Sequence, residues 1–453
     1  MSSYLPQELA DHIVGYLRKD KRSLRACTLV CRNWVHTSRS HLFHELDVFT
    51  SRWYYGLPTF LNDLKNCPNI IPYVKVLKIA KHATHDIPLC GGAYQFSIDP
   101  QMVAEILSVM YSVHSLIIED LRIYDHIPWE TTIPISLSSY RSHHQLKKLS
   151  INNSLLCVEG FSSSEAQPLL SLLRVFKSID ELSVRRTSLW EVPHPLTPPS
   201  PQLCGRSLRV RSLAVEFGYS PSSTLMGTLD QVLDTSTLQY ADFQCEGNQD
   251  AELIGAFLCN SPKLRRLHID VGAIWGSDGE STYSEAYDQS VWTKLNLSSC
   301  HSLQSLAIDF SLSRSESAHG RDLASWETVF NILSIAPSSL RSVSLLGTYF
   351  HRPYDEALLK RIDWDRLRSL LHHFPSLNKV LFDLTEWPRT HMPVSGESIA
   401  RRELRPWDER GILKVPSTVR VCPYVSVPVV PTRSSKRPWI LFRWLAKLGH
   451  RRA

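Results

Sequence analysis

The sequence predicts an α/β protein: three short helices at the N-terminus, then an irregular solenoid in which a parallel sheet is lined by helices. Three observations carry this. A six-residue strand motif recurs along most of the chain, apolar-periodic helical stretches separate its copies, and the first fifty or so residues hold three apolar segments around a charged connector. At 453 residues the chain exceeds one ordinary compact core, so several domains or one elongated array are the options.

The N-terminal segment comes first. In LPQELADHIVGYL, Leu5, Leu9, Ile13 and Leu17 recur every four residues, which gives one apolar stripe on a short helix. Pro6 suits the first turn, where its missing N–H costs nothing, and Glu8 and Asp11 suit the positive helix end. RKDKRS, residues 18–23, is a charged connector. In LRACTLVCRNWVHTS, the residues Leu24, Cys27, Val30, Cys31 and Trp34 fall on one helical face, and SRSHLFHELDV supplies Leu42, Phe43 and Leu46 for a third helix. So small a unit buries little surface by itself and gains by docking onto something else.

The strand motif reads leucine or its equivalent, two residues, an apolar residue, one residue, an apolar residue. Its copies are VKVLKI (74–79), VHSLII (113–118), LKKLSI (146–151), IDELSV (179–184), VRSLAV (210–215), LQYADF (238–243), LRRLHI (264–269), LQSLAI (303–308), LRSVSL (340–345) and LNKVLF (377–382). The sixth is the weakest, with Ala241 where the others carry a larger residue. The alternation is strand periodicity: Leu267 and Ile269 are expected to point inward, Arg266 and His268 outward. Between copies lie helical stretches such as AQPLLSLLRVFKS and DRLRSLLHHFPS. One strand and one helix cannot bury their apolar faces alone, but stacked units can. A doubly wound α/β domain is the rival arrangement.

Two family resemblances follow from these residues. Leu5-Pro6-x-Glu8-Leu9, then Ile13, Leu17, Leu24 and Val30-Cys31-Arg32-x-Trp34, resembles the F-box, over about a tenth of the chain. The resemblance implies a Skp-type adaptor protein as partner and, through it, a cullin. It places Leu5, Pro6, Leu9 and Ile13, with Leu24 and Val30, at the adaptor interface, and Leu17, Cys31 and Trp34 in the module's own core. The alternative is a helical cap packed on a larger fold. The strand array is similar to leucine-rich repeats of the irregular kind seen in many fungal F-box proteins, although the asparagine usual after the strand is mostly missing.

Together the resemblances imply a substrate-recognition adaptor of an SCF-type (Skp–cullin–F-box) E3 ubiquitin ligase. The chain would not itself be an enzyme, and it would need no cofactor, metal or catalytic residue. A non-degradative F-box scaffold, binding the adaptor without directing ubiquitin transfer, is the alternative. The expected divisions are an F-box domain at 1–47, a repeat array at 48–385, and a proline-broken segment with a basic amphipathic tail at 386–453. Outward strand residues would present a protein substrate: Lys148, Glu181, Arg185, Arg266, His268, Asp270, Asp309 and Asp383 are the candidates. The plainer alternative for each is an ordinary solvated sheet face.

Composition excludes other classes. Hydrophobic residues make up 43% and charged residues 21%, a globular balance. A net charge of +6 without a nucleic-acid module gives no specific nucleic-acid partner. The ten cysteines form no C-x-x-C pair, against a zinc ribbon or a secreted disulfide framework. The first residues lack the apolar core of a signal peptide, and no stretch approaches the ~18 apolar residues of a membrane span. A cytoplasmic or nuclear protein is expected. The end, KRPWILFRWLAKLGHRRA, aligns Ile440, Trp444, Leu445 and Leu448 on one helical face among basic residues. It suits a membrane surface, a cap over the last repeat, or a partner-dependent tail. HATHD (82–86) offers two imidazoles and a carboxylate but no further ligands, while the pairs His143-His144 and His372-His373 diverge as chain neighbours. No phosphate-binding loop, dinucleotide-binding glycine run or nucleophile elbow is present in the sequence.

Overall fold

The computed structural model describes residues 6–50, 56–81, 97–125, 144–158, 168–190, 208–217, 222–245, 248–271, 289–312, 319–349, 359–360, 362–386 and 394–415. Two compact units divide them, one within Met1–Cys204 and one within Gly205–Val429. Each is an α/β arrangement in which a parallel sheet is flanked by helices.

The first unit opens with α1 (Gln7–Tyr16), α2 (Lys21–Val30) and α3 (Arg32–Phe43). Asp20 caps α2 by accepting the N–H groups of Arg22 and Ser23, so the connector's one acidic residue starts the second helix. Asp11 ties α1 to α3 by accepting from Thr37. Pro6 sits at the N-cap, one position before the expected first turn, and its carbonyl accepts from Leu9 and Ala10.

The strands of this unit are β1 (Glu45–Thr50), β2 (Val76–Lys81), β3 (Ser97–Ile98), β4 (Ser115–Glu119), β5 (Arg122–Asp125), β6 (His144–Asn152), β7 (Leu155–Val158) and β8 (Phe176–Trp190). The main ladder runs β1-β2-β4-β6-β8, all parallel. A second short ladder joins β3, β5, β7 and the far end of β8. The chain turns from one ladder to the other at Asp120 and Asn153, and bends within β8 at Arg186; all three have left-handed backbone, with φ of 57°, 48° and 49°. Asp and Asn tolerate that conformation better than most residues.

In the second unit the strands are β9 (Leu208–Phe217), β10 (Leu233–Asp234), β11 (Tyr240–Gln244), β12 (Arg266–Asp270), β13 (Ser305–Leu312), β14 (Ser342–Tyr349), β15 (Lys379–Glu386) and β16 (Leu413–Lys414). They order β9-β11-β12-β13-β14-β15-β16, again parallel, with β10 beside β9. The helices follow suit, each packing on the next along the chain: Gly56–Asn66, Pro100–Val109 and Pro168–Arg174 in the first unit, Ser222–Val232, Asn248–Cys259, Gln289–Thr293, His319–Ser334 and Trp364–His372 in the second. A doubly wound sheet reverses strand order at a switch point; within neither unit does the main ladder reverse.

Every copy of the strand motif lands on a main-ladder strand, and its apolar positions stack in register. Leu77, Leu116, Leu149 and Leu182 form one row of the first unit; Leu213, Ala241, Leu267, Leu306, Val343 and Val380 form its counterpart in the second. All are buried, and each large member is worth ~1.5–3 kcal/mol against exposure. At the weak copy, Phe243 supplies the bulk that Ala241 lacks, meeting Phe257 edge-on at 5.9 Å between ring centroids.

Two expectations change. The third helix ends at Phe43, and FHELDV continues as strand β1, with Leu46 opposite Leu77 and Val48 opposite Ile79. Leu46 is thus a sheet residue, because Leu46 and Val48 alternate with polar Glu45 and Asp47 as strand positions do. Nor does the strand–helix alternation stop at residue 386: helices Val394–Glu403 and Arg405–Glu409 lead to β16, which pairs with β15. The proline-rich stretch VPHPLTPPSP (192–201), the polar stretch that starts at residue 274, HATHD, His143 and the basic tail lie outside the described residues.

Candidate functional site

The helical module carries two apolar faces where the sequence shows one. The inner face of α1 holds Ala10 and Val14, both buried. The outer face holds Leu9, Ile13 and Tyr16, a spacing of four and three that lines one side of a helix. Leu9 is 52% exposed and Ile13 43%, and at the end of α2 Leu29 and Val30 are 68% and 64% exposed. Large aliphatic residues so exposed, four of them within twenty-two residues, mark a docking surface more readily than a solvated one.

The inside of the module explains why these side chains stay out. Leu24 and Cys27 fill the space under α2, with Leu42 and Phe43 from α3 buried too. Leu24, expected at the adaptor interface, is therefore a core residue: it sits one turn before Cys27 on the face of α2 turned inward. Cys31 moves the other way. The chain is extended there, with φ −157° and ψ 165°, and this breaks α2 from α3. The i,i+4 relation to buried Cys27 is lost, and Cys31 is exposed rather than packed in the core. Leu17 and Trp34 are half-buried, and Pro6 is exposed beside Leu9. Leu5 lies outside the described residues.

Exposed charge in the helical module is mostly basic: Arg18, Lys19, Lys21, Arg22 and Arg32 are exposed, against Glu8 and Asp20. Asp20 is occupied by the α2 cap, and those hydrogen bonds, led by Ser23, hold its carboxyl below the usual range. Asp11 is likewise held low, chiefly by Thr37 and then by Gln7. A complementary surface would combine apolar and acidic groups.

The outward sheet face is the second candidate. In the first unit Lys148 and Glu181 are exposed, opposite one another on β6 and β8 with charges 3.9 Å apart, and Arg185 is half-buried. An exposed pair at that distance adds little stability. In the second unit Arg266 is exposed, and Asp270, Asp309 and Asp383 are half-buried. His268 departs from expectation: it is buried, its Nδ1 2.6 Å from Oδ1 of Asp242 on the neighbouring strand. By strand alternation it shares a face with exposed Arg266, yet it is buried. Asp242 and His268 thus form a buried polar pair that sequence spacing alone could not single out.

Models of known protein families do not match this chain, and no curated protein matches it. Among the described residues, no group of three or more His, Cys, Asp and Glu is placed to hold a metal ion, and no helix is long and apolar enough to cross a membrane. His372 packs on Trp407 at 4.7 Å and His373 on Phe374 at 6.0 Å, so the adjacent imidazoles diverge as expected.

Proposed function

We propose that this chain is an F-box-type substrate receptor: its helical module docks a Skp-type adaptor of a cullin-based ubiquitin ligase, and its strand array presents a protein substrate. The observation that carries the reading is the exposed apolar set Leu9, Ile13, Leu29 and Val30, on a module whose buried residues include Leu24, Cys27, Leu42 and Phe43. The four exposed side chains each keep two fifths or more of their surface exposed, more than large apolar residues packed in the module do. Burying them against a partner would supply up to ~1.5–3 kcal/mol each before the cost of association. Ubiquitin transfer would belong to other subunits, and this chain would contribute proximity.

The test is capture of a recombinant Skp-type adaptor by the full chain and by Leu9→Glu and Ile13→Glu variants. Binding by the native chain and its loss in both variants, with unchanged thermal unfolding, is the expected result. Binding that survives both charge insertions would overturn the reading. Recovery of a cullin and ubiquitin-modified partners with the native chain separates a degradative receptor from a scaffold that binds the adaptor alone.

A further inference from the structure

The second unit concentrates titratable groups on the outward face of three adjacent strands. Asp242 on β11 stands opposite His268 on β12, and two residues along, Asp270 on β12 stands opposite Asp309 on β13. Neighbouring strands lie only ~4.8 Å apart, so like charges directly opposite each other oppose pairing. The contact at the centre is close: His268 Nδ1 and Asp242 Oδ1 are 2.6 Å apart, on residues 7% and 8% exposed. The other charged or titratable residues on this face of these strands are Tyr240 on β11 and Arg266 on β12. Beyond them lie Glu216 on β9 and Asp383 on β15, while β14 places Leu346 opposite Asp309.

We propose that the row Asp242–His268–Asp270–Asp309 is a pH-responsive latch across β11, β12 and β13, closed while it holds its protons and loosened as they leave when the pH rises from mild acid through neutrality. It stands or falls independently of adaptor binding. Two physical effects set its range. Burial, and then the Asp270 charge, push the Asp309 carboxyl up to about 7. Burial by itself would lower His268, but the hydrogen bond and charge of Asp242, joined by Asp309 and Asp270, outweigh it and raise His268 above its ordinary 6.5.

Both shifts act in one direction. As pH rises above ~4, the unfolded chain releases the Asp309 proton before the folded one does, so stability falls up to about 7. The His268 contribution is complete below 6.5 and is lost as pH rises through its higher folded value. The second unit is therefore more resistant to unfolding in mild acid than in mild base, and the row grows more negative over the same interval.

The experiment uses the full chain. Histidine labelled with ¹³C at Cε1 is titrated by NMR, with the His268 signal assigned by its loss in His268→Asn, and urea unfolding is followed at about pH 5.5 and about pH 8.5. His268 should titrate above 6.5, the unfolding midpoint should be lower at the higher pH, and Asp309→Asn should move the His268 titration down and shrink the difference between midpoints. A His268 titration at or below 6.5 would overturn the proposal, even if Asp309→Asn fails to fold. So would an Asp309→Asn variant that folds and leaves both the titration and the midpoint difference unchanged.

Discussion

The carbonyl of His44 accepts the backbone N–H groups of both Lys75 and Val76, each at 2.9 Å. The same shared acceptor recurs at six further junctions between copies of the strand motif. Lys75 serves His114 and Ser115, His114 serves Lys147 and Lys148, and in the second unit Gln239, Arg265, Gln304 and Arg341 do the same for their successors. His44 occupies the second position of FHELDV, as Lys75 does in VKVLKI. The segment after α3 is therefore a further copy of the motif, and the helical module runs directly into the array.

If FHELDV is a structural repeat, its first apolar position should matter as the others do. Phe43 is buried and Leu46 only half-buried. Phe43→Ala is expected to destabilise the first unit by ~3–5 kcal/mol, the range for large-to-small changes in a packed core. Leu46→Ala should cost clearly less. Urea unfolding of both variants measures this, and equal effects would place the two residues in equivalent environments, contrary to the structure.

Leu24 and Val30 separate packing from docking. Leu24→Ala should cost ~2–5 kcal/mol, because its side chain is wholly enclosed. Val30→Ala should change stability by no more than about 0.5 kcal/mol, as exposed substitutions away from caps and ion pairs do. Thermal unfolding of the two variants checks the assignment. A large loss in the Val30 variant would mean that Val30 packs inside the module instead of facing outward.

Much of the fold is legible because parallel stacking is periodic in both directions. The strand alternation gives the buried rows, and the spacing of copies gives the helix between them. What escapes the sequence has local physical causes. β1 is hidden because it follows α3 with no turn residues between them. β5 and β7 are hidden because they follow left-handed corners at Asp120 and Asn153, where neither glycine nor proline announces a break. The outer residues of α1 are readable as a stripe, but nothing in their spacing tells an inward stripe from an outward one. Cys31 leaves the core because a single extended residue separates two helices that read as one, whereas Leu24 lies one turn before buried Cys27 on the inward face of α2. His268 needs its cross-strand partner Asp242, which is twenty-six residues away in sequence.

Gly255 allows helix Asn248–Cys259 to approach the turn after Gln289–Thr293. A Cβ added there would lie 1.8 Å from the Lys294 carbonyl oxygen, which belongs to the backbone and cannot rotate aside. Gly255→Ala should therefore destabilise the second unit by at least ~1–3 kcal/mol, despite the better helix propensity of alanine. At Gly227 an added Cβ would meet nothing within 4 Å, so the same substitution should stabilise. Urea midpoints of the two variants moving in opposite directions would bear this out, and a neutral Gly255→Ala would refute the close approach.

The thiols should divide by environment rather than by sequence neighbourhood. Cys31 and Cys259 are exposed, whereas Cys27, Cys67, Cys245 and Cys300 are buried. Burial pushes the Cys300 thiol up to about 11, and burial with the nearby Asp63 charge raises Cys67. Only the thiolate reacts readily with an alkylating reagent. Iodoacetamide followed by peptide mass mapping should label Cys31 and Cys259 before Cys27, Cys67, Cys245 and Cys300 in the folded protein. Raising the pH to about 9 should leave Cys300 unmodified, because it remains protonated and enclosed. Denaturant should then expose Cys27, Cys67, Cys245 and Cys300 as well. Labelling of Cys27 as fast as Cys31 would show that α2 and α3 form one continuous helix with both thiols on a shared face, and the break at Cys31 would have to be abandoned.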